Sequence, residues 1–212
     1  MTETGPSCRI VVLISGNGTN LEAINRACEN QIIPGSVVGV ISNQPDALGL
    51  TKARRAGIPT YVLDHRTFDT RGSFESQLQK LIDSMTPHVV VLAGFMRILG
   101  PKIVQHFLGR LLNIHPSLLP RYPGLNTHAR VLKDGKKTHG VTVHFVTPKL
   151  DAGPIILQKT ISVTIQDTEQ TLAEKIRTEE HDIYPRAINW FALGRLQLIQ
   201  NVAYLDGQKI IL

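Results

Sequence analysis

The segment Asn113-Ile114-His115-Pro116-Ser117-Leu118-Leu119-Pro120 places an amide and an imidazole two residues apart in an apolar run that prolines then stop. Leu111 to His115 reads as a short buried strand, and alternation sends Leu111, Asn113 and His115 to one face and Leu112 and Ile114 to the other. Asn113 and His115 therefore point into one space, where an amide N–H and an imidazole N–H could both donate to a developing oxyanion. On its own the segment is explained equally well by a satisfied core histidine and a turn-forming asparagine. A second acid–base candidate is Asp151, in the loop Leu150-Asp151-Ala152-Gly153-Pro154 between two strands. A carboxylate within reach of His115 favours the cationic ring and makes it an acid rather than a base. An ordinary Asp at a Gly-Pro turn is the alternative. His144 is either near this site or structural, and His128 and His139 form no metal-ligand spacing with it.

The elements that must position these groups come in a regular order. Arg9 to Ser15 is a buried β-branched strand, followed by Gly16-Asn17-Gly18-Thr19-Asn20 and a helical pattern at Leu21, Ile24 and Cys28. Val37 to Ile41 predicts a second strand, Asp46 to Ala56 a helix closed by Gly57, and Tyr61 to Leu63 a third strand. Phe74, Leu78, Leu81, Ile82 and Met85 mark an amphipathic helix ending at Pro87, and His88 to Ala93 is another apolar strand. Four βα units in a row imply a parallel sheet with right-handed crossovers. The C-terminal half is mixed. Gly140 to Val146 and Ile155 to Val163 are strands, and Asp167 with Gln170 at N3 predicts the cap of a long helix. Pro185 should kink that helix or mark its restart, and Asp206-Gly207 predicts a hairpin between Val202–Leu205 and Lys209–Leu212. No linker divides the chain, so residues 1–8 are expected to be an N-terminal extension and 9–212 a single domain.

The glycine loop joins a strand to a helix, where free N–H groups and the helix dipole favour an anion such as phosphate. Tight packing is the other use of such a turn. The loop is not a dinucleotide fingerprint, because Leu21 stands at the third glycine position and Ser42-Asn43-Gln44 supplies no ribose-binding acid. Nor does it carry a Walker ending. Met96 to Leu99 follows a strand at the carboxyl edge where open α/β sheets bind ligands, so its backbone could hydrogen-bond a flat heterocycle or simply connect strand to helix.

Composition narrows the class. An apolar share of 42% and a charged share of 19% over 212 residues are those of a globular protein with its own core. The formal charge of +6 suits anionic partners, but the basic residues are scattered without interleaved aromatics, so a phosphorylated small molecule is favoured over nucleic acid. Two cysteines, Cys8 and Cys28, make neither a disulfide framework nor a zinc set. No apolar run reaches the ~20 residues of a membrane helix, and Met1 to Pro6 has no signal-peptide pattern. A cytoplasmic location is the expectation.

Five segments together resemble the folate-dependent formyltransferases, in particular those acting on glycinamide ribonucleotide. They are Leu13 to Leu21, Val91 to Leu99, Leu112 to Pro120, His139-Gly140 with Val143 to Val146, and Glu180 to Pro185. The resemblance runs from about Arg9 to the C-terminal hairpin. It implies a Rossmann-like α/β fold with a mostly parallel central sheet, helices on both faces and antiparallel strands in the C-terminal half. It also implies formyl transfer from 10-formyltetrahydrofolate, a co-substrate, to the amine of glycinamide ribonucleotide, without a metal. On this basis Asn113, His115 and Asp151 are catalytic. Gly18, Thr19 and Asn20 take the phosphate, and Arg177, Thr178, Glu179 and Glu180 the rest of the ribonucleotide, with Glu180 on the ribose. The folate lies against Met96, Arg97, Ile98, Leu99, Asn113 and the loop Thr147, Pro148, Lys149, Leu150, Asp151. Arg71 stands near its benzoyl-glutamate end, and Leu92, Leu111 and Val146 wall the pterin. No nucleic-acid or membrane partner is implied; a homodimer is the expected assembly.

Overall fold

A computed structural model describes residues 7–211; the first six residues of the expected N-terminal extension, and Leu212, lie outside the described residues. Strand β1 (Cys8–Ile14) alternates between two apolar layers. Ile10, Val12 and Ile14 join one core cluster, and Val11 and Leu13 the other. A strand buried on both faces needs helices on both. On the first face lie α1 (Thr19–Glu29), α2 (Leu48–Arg55) and α6 (Glu169–Ala192), and on the second α3 (Arg71–Ser84) and α4 (Pro101–His106).

The central sheet has seven strands in the order β3-β2-β1-β4-β5-β6-β7. These include β2 (Gly35–Ser42), β3 (Thr60–Val62), β4 (Val89–Leu92) and β5 (Leu111–His115), which pair in parallel with β1 or with one another. Strand β6 (Thr138–Phe145) then adds antiparallel to β5, and β7 (Ile155–Ser162) antiparallel to β6. The fold is thus the α/β sheet the sequence implies. A short helix α5 (Thr127–Lys133) precedes β6.

Some local expectations shift. Thr168, not Asp167, caps α6. Its side chain accepts the Thr171 N–H while the Thr171 hydroxyl accepts the Thr168 N–H. Asp167 is unavailable because its carboxylate holds the Thr164 N–H and Lys175. Helix α6 runs through Pro185 as one element instead of restarting there. The buried Tyr184 of α6 directs its hydroxyl at the main-chain carbonyls of Leu92 (2.8 Å) and Leu112 (3.1 Å), tying the helix to β4 and β5. At the C-terminus β9 (Val202–Leu205) pairs with β10 (Gln208–Lys209) across Asp206-Gly207, both at positive φ, as a two-residue hairpin requires. A further strand, β8 (Leu196–Ile199), pairs with β9 across Gln200-Asn201 and completes a three-stranded sheet. Its turn lacks glycine and carries no strong sequence signal.

Candidate active site

A cleft of about 750 Å³ opens at the carboxyl ends of the parallel strands, a size ordinary for small-molecule sites. Its position follows from topology. From β1 the chain builds outward to β2 and β3, then returns to place β4 and β5 on the other side, so the loops leaving β1 and β4 diverge and leave a crevice. Ser15 to Asn20 leave β1, Leu92 to Leu99 close β4, and Asn113 to Pro116 close β5; all line the cleft.

Asn113 and His115 both face this space, as alternation requires. Asn113 lies directly across the ladder from His144. The buried His144 ring donates Nδ1–H to the Phe145 carbonyl (2.8 Å), which leaves Nε2 as an acceptor for one Asn113 Nδ2–H (3.1 Å). The second amide hydrogen of Asn113 remains for a ligand. His115 commits Nε2–H to the Tyr122 carbonyl (2.9 Å) and turns Nδ1 toward Asp151, 3.5 Å from Oδ2. Nε2 is thus spent in a hydrogen bond, whereas Nδ1 makes none among the described residues and stays open to a ligand beside the carboxylate. Asp151 Oδ2 also accepts the Gly124 N–H (2.8 Å), and Oδ1 lies 3.9 Å from His144 Nε2.

Asp151 reaches this position because its loop folds back hard on β6. A Cβ at Gly153 would lie 1.8 Å from the Phe145 carbonyl oxygen, so no larger residue permits that approach. The sequence alone left His144 undecided between two roles; the structure puts it behind Asn113. Tyr122 and Gly124 enter through main-chain groups and leave no side-chain signal to find.

His128 also lines the cleft, and its Nδ1 lies 2.9 Å from Nε2 of the buried His139. His139 Nδ1 is buried without a hydrogen-bond partner among the described residues. Burial pushes His139 down to about 4, and it lowers His128 and His144 as well. The unfolded chain binds these protons near pH ~6.5 while the folded one refuses them. Stability should therefore be complete above that pH and fall as pH drops toward about 4. Urea midpoints measured across this window should decline with acid, and His139→Leu should flatten the decline.

The remaining expected residues separate into those at the cleft and those near it. Gly18, Thr19, Asn20, Met96 to Leu99, and Thr147 to Asp151 all line it. Gly18 has φ +68, and a Cβ there would lie 2.6 Å from Gly49 Cα of α2, so the loop is packed tightly as well as open to the cleft. The main-chain N–H and C=O groups of Arg97 and Leu99 take no hydrogen-bond partner among the described residues and are free for a ligand. Glu180 lines the cleft and accepts the Asn20 amide N–H at 2.9 Å; burial raises its pKa, against that bond and the Arg177 charge.

Arg177, Thr178 and Glu179 are not at the cleft surface. Four consecutive helical residues span every direction, so they cannot share one face. Thr178 bonds the Glu174 carbonyl, Glu179 faces Lys159 of β7 at 3.9 Å, and Arg177 stands exposed within electrostatic range of Glu180. Arg71 stands behind the Met96–Leu99 loop, bonding the Ile98 carbonyl (2.7 Å) and Glu75 (2.7 Å). Leu92 and Val146 line the cleft, whereas Leu111, deeper in β5, is sealed in the core with Phe107 and Ile103.

A family model described as formyl transferase matches residues 8–188. The chain belongs to the formyl transferase family. This formyl transferase is 54% identical over 201 residues to phosphoribosylglycinamide formyltransferase of Escherichia coli K12, covering 95% of each chain. Its structure superposes with TM-score 0.93 on phosphoribosylglycinamide formyltransferase of Coxiella burnetii, at 51% identity over 97% of each chain. It also resembles a formyltetrahydrofolate deformylase of Burkholderia mallei (TM-score 0.86, 26% identity), covering 95% of this chain and 71% of that one. No described helix is long and apolar enough to cross a membrane.

Proposed function

We propose that this chain transfers the formyl group of 10-formyltetrahydrofolate to the amine of glycinamide ribonucleotide, giving formylglycinamide ribonucleotide and tetrahydrofolate in purine biosynthesis. The observation that carries the chemistry is the convergence of Asn113, His115 and Asp151 between the glycine loop and the free backbone edge of Arg97 and Leu99. Near-complete, two-way coverage of the Escherichia coli relative supports the choice of substrates.

On this reading the attacking amine adds to the formyl carbon and negative charge develops on its oxygen. The free Asn113 amide N–H and the His115 Nδ1–H hold that oxyanion. Asp151 balances the charge of the imidazolium and helps carry the proton from the attacking nitrogen to the departing folate nitrogen as the old C–N bond breaks. The ribonucleotide phosphate sits on Gly18, Thr19 and Asn20 at the start of α1, and Glu180 holds the ribose hydroxyls. The whole of residues 9–212 acts as one domain. The same reading includes a cytoplasmic location and a homodimer, and sedimentation of the purified chain tests the second.

The deciding experiment is the absorbance change on mixing the protein with a 10-formyl folate, with and without glycinamide ribonucleotide. Turnover that requires the ribonucleotide is expected; equal turnover without it would make the chain a hydrolase. Thr19→Ala should raise KM for the ribonucleotide about tenfold and leave kcat near wild type, the pattern of a lost binding contact. An unchanged KM would remove the phosphate from this loop.

A further inference from the structure

The backbone edge at Met96 to Leu99 is held from behind by a chain of polar groups that meets the cleft only at Ser15. Ser15 brackets the turn that begins it: its own N–H donates to the Gly94 carbonyl (3.0 Å), and its hydroxyl oxygen accepts the Met96 N–H (2.7 Å). The Ser15 hydroxyl donates in turn to Asn43 Oδ1, and His65 Nδ1 meets Asn43 at two atoms, the side-chain Nδ2 (3.2 Å) and the main-chain carbonyl oxygen (3.4 Å). A backbone N–H can only donate, so Ser15 Oγ accepts at Met96 and keeps its own proton for Asn43 Oδ1. Asn43 is 1% exposed and uses both ends of its amide in this chain. His65 in turn packs edge-on against Phe74 of α3. The same helix supplies the other two anchors, Arg71 to the Ile98 carbonyl and Glu75 to the Gly100 N–H (2.7 Å). Gly94, Met96, Ile98 and Gly100 are thus tied through the main chain, and the residues between them, Phe95, Arg97 and Leu99, keep both main-chain groups open.

We propose that Asn43, backed by His65, is a positioning residue for folate recognition. It sets, through Ser15, the register in which Arg97 and Leu99 present their main-chain groups. The inference rests on the reading that the folate heterocycle lies on this edge. Neither Asn43 nor His65 lines the cleft, so their effect on folate must pass through Ser15 and Met96. Removing the amide leaves the Ser15 hydroxyl and the His65 ring facing each other without a link, and the Gly94–Leu99 turn loses its fixed anchor.

The test is steady-state kinetics of Asn43→Leu, Asn43→Asp and His65→Phe, with hydrogen–deuterium exchange of the wild-type protein in the presence and absence of tetrahydrofolate. Asn43→Leu should raise KM for 10-formyltetrahydrofolate about tenfold, the loss of one buried hydrogen-bond link, with little change in kcat or in KM for the ribonucleotide. Asn43→Asp keeps an acceptor for Ser15 and accepts from His65, so it should restore most of the folate KM. His65→Phe, at the outer end of the chain, should give a smaller rise in the same constant and carries the test if Asn43→Leu fails to fold. An unchanged folate KM in both, or equal rises for both substrates with a fall in kcat, overturns the positioning role. Absence of protection at Met96 to Leu99 on tetrahydrofolate binding in the wild type overturns instead the placement of the folate, and the inference with it.

Discussion

Asn113→Ala is expected to lower kcat by about 10²- to 10³-fold, the usual loss for one oxyanion donor, with a small effect on KM for either substrate. The geometry gives the reason. Asn113 has two amide hydrogens, of which His144 Nε2 takes one, so the other is aimed by a buried, neutral ring. That donor is already oriented when charge appears on the formyl oxygen, and alanine leaves nothing in its place. His115→Ala should fall in the same range, since it removes Nδ1–H, the second donor. The check is single-turnover kinetics beside urea unfolding: a normal midpoint with slow chemistry is the expected pair. Near-normal turnover in His115→Ala would show that the imidazole does not touch the reacting atoms.

Asp151→Asn should lower kcat by about 10²- to 10⁴-fold, the range of general acid–base assistance. The replacement is nearly isosteric and can still accept the Gly124 N–H through its remaining oxygen, so the loop should stay where it is. What it loses is the charge 3.5 Å from His115 Nδ1. The imidazolium then has no counter-charge, and the migrating proton has no carboxylate to pass through. Because the proposed reading has Asp151 and His115 act on the same proton and the same charge, their effects should not add. The double variant should be little slower than the slower single one; a product of the two losses would mean that they work independently.

Strand β5 was legible because a period of two fixes which side chains share a face, and it spans Leu111 to His115 as alternation and the prolines that follow indicate. The His144 contact was not legible, since it depends on β6 running antiparallel to β5 with Asn113 opposite His144. No local pattern states that register. The same limit explains the α6 side of the cleft. Glu180 was found, but its helical neighbours Thr178 and Glu179 were expected at the cleft with it, although a helix turns them elsewhere. Strand β8 escaped because Gln200 and Asn201 adopt positive φ without glycine to announce it. Asp167 has the chemistry of a cap and was displaced by one residue through its own tie to Thr164 and Lys175.

Tyr184 and Glu180 lie four residues apart on α6, one above the other on the same face. Tyr184 is bolted to the carbonyls of Leu92 and Leu112, beside the ends of β4 and β5 at the cleft, while Glu180 reaches Asn20 and the glycine loop. The helix therefore acts as a ruler of fixed pitch, with ~6 Å of axial rise from one residue to the other. On the proposed reading it measures the acceptor from ribose to amine. Selection among acceptors is then a selection by length: a molecule with the right phosphate and the right nucleophile, but one methylene too many between them, would dock well and deliver its nitrogen past the formyl carbon.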